Sequence, residues 1–267
     1  MNRRFDKMHG LGNDFVIFDG RAEPLEINEA RARAIADRHT GIGCDQLILL
    51  EPSASADVRM RIFNPDGGEV DACGNAARCV ALLVGGDPTI ETAGGLIASD
   101  TSSGEAVIDM GKPRFGWDDI PLAYAMETSA MPVSWEDLPQ PFAVNVGNPH
   151  VVFFVEDASA VDAARLGPLI ERDPLFPQRV NVNFASIEPG AVKLVVWERG
   201  AGLTRACGTG ACATAVAAIR RKLVQGPVPV HLPGGTLVIE WSPGNSISMR
   251  GPAAHVYSGE IDIEGLA

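Results

Sequence analysis

An internal duplication, with an offset of about 135 residues, constrains this chain more than any other feature. Four polar or cysteine positions of the first half have counterparts, in the same order and at nearly the same spacing, in the second half. The first set is Asn13, Gln46, Asn64 and Cys73, with successive gaps of 33, 18 and 9 residues. The second set is Asn148, Asn181, Glu198 and Cys207, with gaps of 33, 17 and 9 residues. A period this long exceeds a solenoid unit and indicates two similar domains.

The sequence around the two cysteines repeats as well. Cys73 opens Cys-Gly-Asn-Ala-Ala-Arg-Cys, and Cys207 opens Cys-Gly-Thr-Gly-Ala-Cys-Ala. Further along, the spacing of Gly94, Gly104 and Gly111 is that of Gly234, Gly244 and Gly251. We therefore expect two similar halves, each contributing one Cys-Gly loop to an active site in the cleft between them.

The local patterns predict an α/β (α+β) protein, in which each half is a mostly antiparallel sheet wrapped around a central buried helix. Short runs rich in β-branched and aromatic residues predict strands. They are 14–19, 46–50, 58–63, 96–100, 106–110, 151–155, 182–187, 192–197, 236–241 and 246–250. Helices are predicted at 28–39, 74–84, 162–172 and 208–224. The small residues and missing charges at the start of 74–84 and 208–224 indicate burial.

Composition restricts the partners of the chain. Its 267 residues carry a formal net charge of −12, which argues against binding to nucleic acid or an anionic membrane and allows a small-molecule amino-acid substrate. No apolar run approaches the roughly 18 residues of a membrane span, and no signal peptide is recognisable. We expect a cytoplasmic protein, in which the five cysteines are thiols.

Cys73 and Cys207 each precede a predicted buried helix, where unpaired backbone N–H groups and the helix dipole favour anions. A thiol at such a position should have a lowered pKa and act as a base. The N–H groups that begin the two helices can bind a substrate carboxylate; they belong to Gly74, Asn75, Gly208 and Thr209. Two thiols on opposite faces of an α-carbon would invert it, without a cofactor or a metal.

Five motifs are spread along the chain: Met8-His-Gly-Leu-Gly-Asn-Asp-Phe15, Cys73-Gly-Asn-Ala-Ala-Arg-Cys79, Gly147-Asn-Pro-His150, Glu198-Arg-Gly-Ala-Gly202 and Ala206-Cys-Gly-Thr-Gly-Ala-Cys212. In order and spacing they closely resemble the diaminopimelate epimerase family, and the resemblance covers nearly the whole chain. The resemblance implies interconversion of LL- and meso-2,6-diaminopimelate in lysine and cell-wall precursor synthesis, without pyridoxal phosphate, by a homodimer. It also implies that 1–116 and 117–255 form the two halves and that 256–267 returns to the first.

The same resemblance implies roles for individual residues. Cys73 and Cys207 are the acid and base, and His150 and Glu198 tune their pKa values. The substrate ligands are Asn13, Gln46, Asn64, Gly74, Asn75, Asn148, Asn181, Glu198, Arg199, Gly208 and Thr209. The chain departs from the family at Ala76, where glycine is common and a methyl group would narrow the first loop, and at Leu203, often an acidic residue.

Plainer interpretations exist for several of these residues. Cys44, Cys79 and Cys212 are expected to be core residues. Asn64-Pro65-Asp66-Gly67 also fits an ordinary turn, His150 alone would be structural, and Arg199 beside Glu198 can form a simple ion pair.

Three rival functions remain open. A proline or hydroxyproline racemase of the same fold also pairs two cysteines, but Asn75 and Glu198-Arg199-Gly200 fit its motifs poorly. An anion-binding module without catalysis lacks a recognisable phosphate loop here. A zinc or thiol-redox protein would be expected to show Cys-x-x-Cys, which the sequence lacks.

Overall fold

The computed structural model describes residues 2–266, which contain four α-helices and eighteen strands. The helices are α1 (Glu29–Ala36), α2 (Gly74–Val84), α3 (Ala163–Glu171) and α4 (Gly208–Arg220). The first nine strands are β1 (Asn2–Gly10), β2 (Asn13–Asp19), β3 (Gln46–Glu51), β4 (Val58–Phe63), β5 (Glu69–Val70), β6 (Ile90–Thr92), β7 (Gly95–Ile97), β8 (Ser99–Asp100) and β9 (Ala106–Asp109). The others are β10 (Phe142–Asn145), β11 (Pro149–Phe154), β12 (Asn181–Glu188), β13 (Ala191–Glu198), β14 (Gly202–Leu203), β15 (Val228–Leu232), β16 (Gly235–Glu240), β17 (Ser248–Gly251) and β18 (Ala254–Asp262).

The chain forms two compact units. Unit 1 comprises the chain up to Ile108 together with the segment from Gly251 onward, and unit 2 is Asp109–Arg250. Unit 1 is therefore discontinuous in sequence, because β18 pairs with β1 along nearly its whole length.

The sheet of unit 1 has the strand order β18-β1-β2-β3-β4-β6-β7, with β5 added beside β4. In unit 2 the order is β10-β11-β12-β13-β15-β16-β17, with β14 added beside β13. The helix α4 contacts β10, β11, β12, β13, β15 and β16, so this sheet wraps around it. In unit 1, α2 is largely buried and packs against β1. The predicted fold class of two similar halves around buried helices is confirmed.

The duplication extends to the pairing of the strands. Each sheet is mixed: β2–β3 and β4–β6 are parallel in unit 1, as are β11–β12 and β13–β15 in unit 2. In the first of these parallel pairs Phe15 lies opposite Gln46, and in the second unit His150 lies opposite Asn181. The two units therefore place corresponding residues at the same points of equivalent sheets.

Local sequence explains why the helices begin where they do. Asn28 accepts the Arg31 N–H with its side-chain oxygen at 2.9 Å and caps α1. Asp162 caps α3 in the same way through the Arg165 N–H. In α4 all residues from Gly210 to Ala218 are buried, because small and apolar side chains let the sheet approach on every side.

Two long strands escaped the sequence patterns. β1 carries Arg3, Arg4, Asp6 and Lys7, so it lacks the apolar alternation that predicts a strand. β18 is mostly exposed at the end of the sheet, where burial does not select apolar side chains. Within residues 2–266, no helix is long and apolar enough to cross a membrane.

Candidate active site

Cys73 and Cys207 hold the same structural position in their units. Each is the N-cap residue of a buried helix, with extended backbone angles (φ −147° and ψ 111° for Cys73, φ −122° and ψ 108° for Cys207). Each sulfur therefore sits at the helix end where the first backbone N–H groups have no partner within the helix. The predicted position of both thiols at the start of a helix is confirmed.

The Cys207 sulfur is surrounded by polar groups on its own loop. It accepts a hydrogen bond from the Gly210 N–H at 3.3 Å and lies 3.5 Å from the Thr209 hydroxyl oxygen. Glu198 also lies within hydrogen-bonding reach of the thiol. The carboxylate of Glu198 in turn accepts a hydrogen bond from the Thr204 hydroxyl.

The lowered pKa that the sequence predicts for Cys207 is wrong. Cys207 is only 4% exposed. This burial, together with the negative charge of Glu198, raises the pKa of the thiol well above its usual value. Hydrogen bonds from Thr209 and Gly210 act in the opposite direction but are weaker. A helix N-terminus favours an anion only where desolvation and a neighbouring carboxylate do not outweigh it. The thiol form of Cys207 is therefore favoured near neutral pH.

Gly210 is a site residue that the sequence interpretation missed. A Cβ atom there would lie 2.8 Å from the Asn183 side-chain oxygen, 3.1 Å from a methyl carbon of Val196 and 3.2 Å from the Cys207 sulfur. Any larger residue would have to displace the Asn183 side chain and would crowd Val196 and the thiol. The Cys-Gly-Thr-Gly pattern was the available signal, since a second glycine at a crowded turn often marks a close approach.

In unit 1 the predicted ligands form two hydrogen-bonded pairs. The Asn75 amide nitrogen donates to the Asn13 side-chain oxygen at 3.0 Å, and the Gln46 amide nitrogen donates to the Asn64 oxygen at 3.0 Å. The Gln46 oxygen Oε1 is buried, and residues 2–266 offer it no hydrogen-bond donor. A buried acceptor of this kind can receive a substrate donor.

The Asn64 loop is also the turn that its sequence predicts. The Asn64 N–H donates to the Gly68 carbonyl at 2.8 Å, and the Gly67 N–H donates to the Asn64 carbonyl at 2.9 Å. The side chain of Asn64 is nevertheless turned to Gln46. The turn and the ligand interpretations are therefore compatible.

An ionic cluster beneath Asn13 was not recognised from the sequence. Asp45 accepts the Asn13 side-chain N–H at 3.1 Å and is held by Arg38 at 2.7 Å. Arg38 and Lys7 also flank Asp14; burial opposes ionisation, but their hydrogen bonds lower the pKa of its carboxyl overall. Asp45 directly precedes Gln46, and this adjacency was the one signal available.

A wholly buried arginine, Arg78, was missed as well. It lies on α2, and its guanidinium lies 2.8 Å from the position of a Cβ on Gly10. Gly10 therefore lets β1 approach α2 closely. Arg78 therefore has a packing role between α2 and β1.

In unit 2, Asn148 and His150 are brought together. The His150 ring is fully buried, and its Nε2 lies 2.8 Å from the Asn148 side-chain oxygen. Its Nδ1 lies 3.1 Å from the amide nitrogen of Asn183, which the sequence interpretation did not single out. Burial lowers the pKa of His150 to about 3, so the ring is neutral.

Asn181 connects two loops of unit 2. Its side-chain nitrogen donates to the Pro149 carbonyl at 2.9 Å, and its side-chain oxygen accepts the backbone N–H of Arg199 at 2.9 Å. The Arg199 guanidinium donates to the Gln178 carbonyl at 3.0 Å. Asn181 thereby fixes the backbone beside Asn148 and at Arg199, two further predicted ligands.

Glu171 is a further missed residue. This buried carboxylate of α3 accepts the Trp197 indole N–H at 2.7 Å and the Gly200 backbone N–H at 3.0 Å. It therefore secures both ends of the turn that carries Glu198 and Arg199. A glutamate near the end of a predicted helix carries no sequence signal of burial, so nothing marked the residue.

The other cysteines are core residues, as predicted. Cys44 is 2% exposed, and Cys79 and Cys212 are fully buried. Burial raises the pKa of Cys44 and of Cys79 to about 12, which removes both as bases near neutral pH. Across residues 2–266, no group of three or more His, Cys, Asp or Glu side chains is arranged to hold a metal ion.

Comparison with known proteins agrees with these features. A sequence model of the family described as diaminopimelate epimerase matches residues 5–116 and 142–256. Diaminopimelate epimerase of Rhizorhabdus wittichii is 63% identical, over 100% of this chain and 98% of its own length. The enzyme of the same name from Erythrobacter litoralis is 64% identical, over 98% of both chains.

Solved structures of lower identity share the fold. A phenazine biosynthesis protein of the PhzF family from Enterococcus faecalis has a TM-score of 0.73 at 14% identity, covering 98% of this chain and 100% of its own. A hydroxyproline epimerase from Agrobacterium vitis has a TM-score of 0.66 at 17% identity, covering 97% and 92%. The near-complete sequence matches, together with the duplicated Cys-Gly helix starts, show that this chain belongs to the diaminopimelate epimerase family of isomerases.

Proposed function

We propose that this chain interconverts LL- and meso-2,6-diaminopimelate by moving protons between the substrate α-carbon and two cysteines. One of Cys73 and Cys207 takes the α-proton from one face, and the other returns a proton to the opposite face. The observation that carries this proposal is the equivalent N-cap position of the two sulfurs. The names of the close relatives supply the substrate.

The protonation state of Cys207 indicates which cysteine is the acid and which is the base in the resting enzyme. Its pKa lies well above the usual value because of burial and Glu198, so it holds a proton near neutral pH. A thiol can donate a proton but cannot remove one. Catalysis then requires Cys73 to be the thiolate in the same state of the enzyme. In the reverse direction the roles exchange.

The helix starts supply the stabilisation that proton removal needs. Loss of the α-proton pushes negative charge onto the substrate carboxylate. The backbone N–H groups of Gly74 and Asn75 in α2, and of Gly208 and Thr209 in α4, belong to the first helical turns. Donors of this kind stabilise a developing anion more than the ground state. We therefore assign the α-carboxylate to these residues, in a mechanism that uses no cofactor and no metal.

The remaining polar groups suit the other ends of the substrate. The buried Gln46 oxygen can accept from an ammonium group. Asn64 is hydrogen-bonded to Gln46, and Asn13 is hydrogen-bonded to Asn75. Arg199 offers a planar cation suited to a second carboxylate. Asn148, Asn181 and Glu198 complete the set of ligands that we propose, and His150 and Glu198 tune the thiols.

One assay tests the reaction. Incubation with LL-diaminopimelate in heavy water should give meso product that carries deuterium at the inverted α-carbon, because the returning proton comes from a thiol that exchanges with solvent. L-proline and trans-4-hydroxy-L-proline should not be turned over. Conversion of either imino acid, without turnover of diaminopimelate, would overturn the substrate assignment in favour of a racemase of the same fold.

We also propose a cytoplasmic homodimer. The resemblance to the family supports this, and β18 is a mostly exposed strand at the end of its sheet with Val256 54% and Tyr257 46% exposed. Exposed apolar side chains on such a strand are typical of a subunit contact. Sedimentation of the purified protein at several concentrations would give the subunit number.

A further inference from the structure

The two units carry different side chains at one pair of corresponding buried positions. Phe15 and Ile48 lie two residues after Asn13 and Gln46 in unit 1, and His150 and Asn183 lie two residues after Asn148 and Asn181 in unit 2. All four are fully or almost fully buried. Unit 1 shows that the fold accepts an apolar pair at this point, whereas burying two polar side chains costs free energy unless each is satisfied. The polar pair of unit 2 therefore calls for a functional explanation.

The orientation of the Asn183 amide is fixed by the backbone. Its nitrogen Nδ2 lies 3.0 Å from the Val151 carbonyl oxygen and 3.4 Å from the Asn181 carbonyl oxygen. A carbonyl oxygen can only accept, so the group facing it must be the NH2 end of the amide. The same NH2 group lies 3.1 Å from Nδ1 of His150.

This orientation determines the tautomer of His150. Because Asn183 donates to Nδ1, that ring nitrogen must be an acceptor and carry no proton. In a neutral imidazole the proton then resides on Nε2. Nε2–H lies 2.8 Å from the Asn148 side-chain oxygen and donates to it.

This tautomer also determines which end of the Asn148 amide is available to the substrate. With its oxygen held by His150, Asn148 has its amide NH2 group left as the end that can meet a ligand. Unit 1 reaches the same result by other means, since the Asn13 oxygen accepts from Asn75 at 3.0 Å. In both units the oxygen of the asparagine is held by a protein donor. The NH2 group of Asn148, and the one N–H of Asn13 that does not donate to Asp45, can then meet an oxygen atom of the substrate.

The arrangement has a cost on the other side of Asn183. Its oxygen Oδ1 is buried against Gly210 and has no hydrogen-bond donor among residues 2–266. An unsatisfied buried acceptor is unfavourable by an amount comparable to a lost hydrogen bond. The isoleucine at the corresponding position of unit 1 carries no such cost.

We infer that Asn183 is a positioning residue, which sets the proton of His150 on Nε2 and thereby turns the amide nitrogen of Asn148 toward the substrate. The last step rests on the proposed binding of diaminopimelate by Asn148; the first step is independent of it.

The first step is tested on the free enzyme by nitrogen-15 NMR of the histidine rings. The wild type should show His150 entirely as the Nε2–H tautomer. In Asn183→Leu, which keeps the approximate volume and removes the donor, the Nδ1–H form should become populated. A wild-type ring protonated on Nδ1, or a folded Asn183→Leu protein whose ring is unchanged, would overturn the inference.

The second step is tested by kinetics in a double-mutant cycle. Asn183→Leu should raise KM for LL-diaminopimelate about tenfold and change kcat much less, because it disturbs a ligand and not a reacting group. In an Asn148→Ala background the same substitution should have little further effect on KM, since its target is gone. Independent, additive losses would show a general structural role and would overturn the second step.

Asn148→Ala alone and one double variant distinguish failure of the ligand assignment from failure of the role of Asn183. An unchanged KM in Asn148→Ala would remove Asn148 from the proposed ligands, while the NMR result would still decide the role of Asn183. If Asn183→Leu does not fold, His150→Phe with Asn183→Ile installs the pair that unit 1 carries. That variant should fold and show the KM of Asn148→Ala, and a wild-type KM would contradict the inference.

Discussion

The backbone N–H of Gly210 donates a hydrogen bond to the sulfur of Cys207 at 3.3 Å. The bond favours the thiolate, whereas burial and the charge of Glu198 favour the thiol more strongly. The thiol form of Cys207 is thus favoured, but its thiolate would still be stabilised by the Gly210 N–H. This is the arrangement that a proton donor needs if it must also work as the base in the reverse direction.

Loss of either of the two thiols that we propose as acid and base should abolish inversion. Cys73→Ala and Cys207→Ala should each lower kcat by at least about 10²–10⁴-fold, the usual contribution of a positioned acid or base. Cys44→Ala, a core substitution outside the loops, is the matched control and should keep most activity. Near wild-type turnover by either of the first two variants would end the two-base mechanism.

Glu198→Gln should lower the pKa of the Cys207 thiol. The carboxylate raises that pKa through its charge, and the neutral amide keeps the shape without the charge. A pH titration of thiolate absorbance in a Cys73→Ala background would give the midpoint for Cys207. The exposed Glu156→Gln substitution is the control and should leave the midpoint where it is. A midpoint that rises in Glu198→Gln would reverse the assigned sign.

His150 should make the protein less stable as the pH falls. Its pKa is about 3 in the folded protein and near 6.5 in an unfolded chain. Between these values the unfolded state binds a proton that the folded state does not, so the free energy of unfolding decreases by up to about 1.4 kcal/mol per pH unit. Above the unfolded pKa the effect is absent.

Urea denaturation between about pH 7 and pH 5 measures this slope. His150→Phe, which takes the residue that unit 1 carries at the same register, should give a shallower decline than the wild type. The exposed His39→Gln variant should decline like the wild type. Equal slopes in all three proteins would show that His150 takes up its proton without unfolding.

Glu171→Ala should destabilise unit 2 through the turn after β13. It would leave the Trp197 indole N–H and the Gly200 N–H without their acceptor. The expected loss in the free energy of unfolding is on the order of 1–3 kcal/mol in all, because both hydrogen bonds are only partly buried. Glu171→Gln keeps one acceptor and should lose less, and the exposed Glu156→Ala should lose almost nothing. Equal stability of Glu171→Ala and the wild type would mean that water replaces the carboxylate.

Arg199→Met should weaken binding of diaminopimelate about ten- to a hundredfold, because one charge-assisted pair with the second carboxylate is lost. Slow turnover of lysine, which has no second carboxylate, should change little. Arg172→Met removes an exposed cation near the end of α3 and is the control. Equal losses on both substrates would show that Arg199 supports the loop, through Gln178, and not the substrate.

Most of the correct sequence-based predictions came from the internal duplication. It located the two N-cap thiols, and helix α2 begins and ends where the pattern of small residues predicts. What escaped were groups whose importance depends on a neighbour distant in sequence. Asn183 follows Asn181 by two residues and gives no signal until His150 is known to lie beside it. The pKa of Cys207 was misjudged because the sequence shows the helix start but not how deeply the sulfur is buried.

The pairing of β1 with β18 has a consequence for synthesis on the ribosome. Unit 2 is one uninterrupted stretch, so all of its strands and helices have been made once Arg250 has been added. Unit 1 begins to emerge earlier, yet the partner of β1 on its outer side, residues 254–262, is translated after the whole of unit 2. Unit 1 is therefore the first unit to be started and the last to be completed. Until residues 254–262 have been made, the outer edge of β1 lacks its native partner strand.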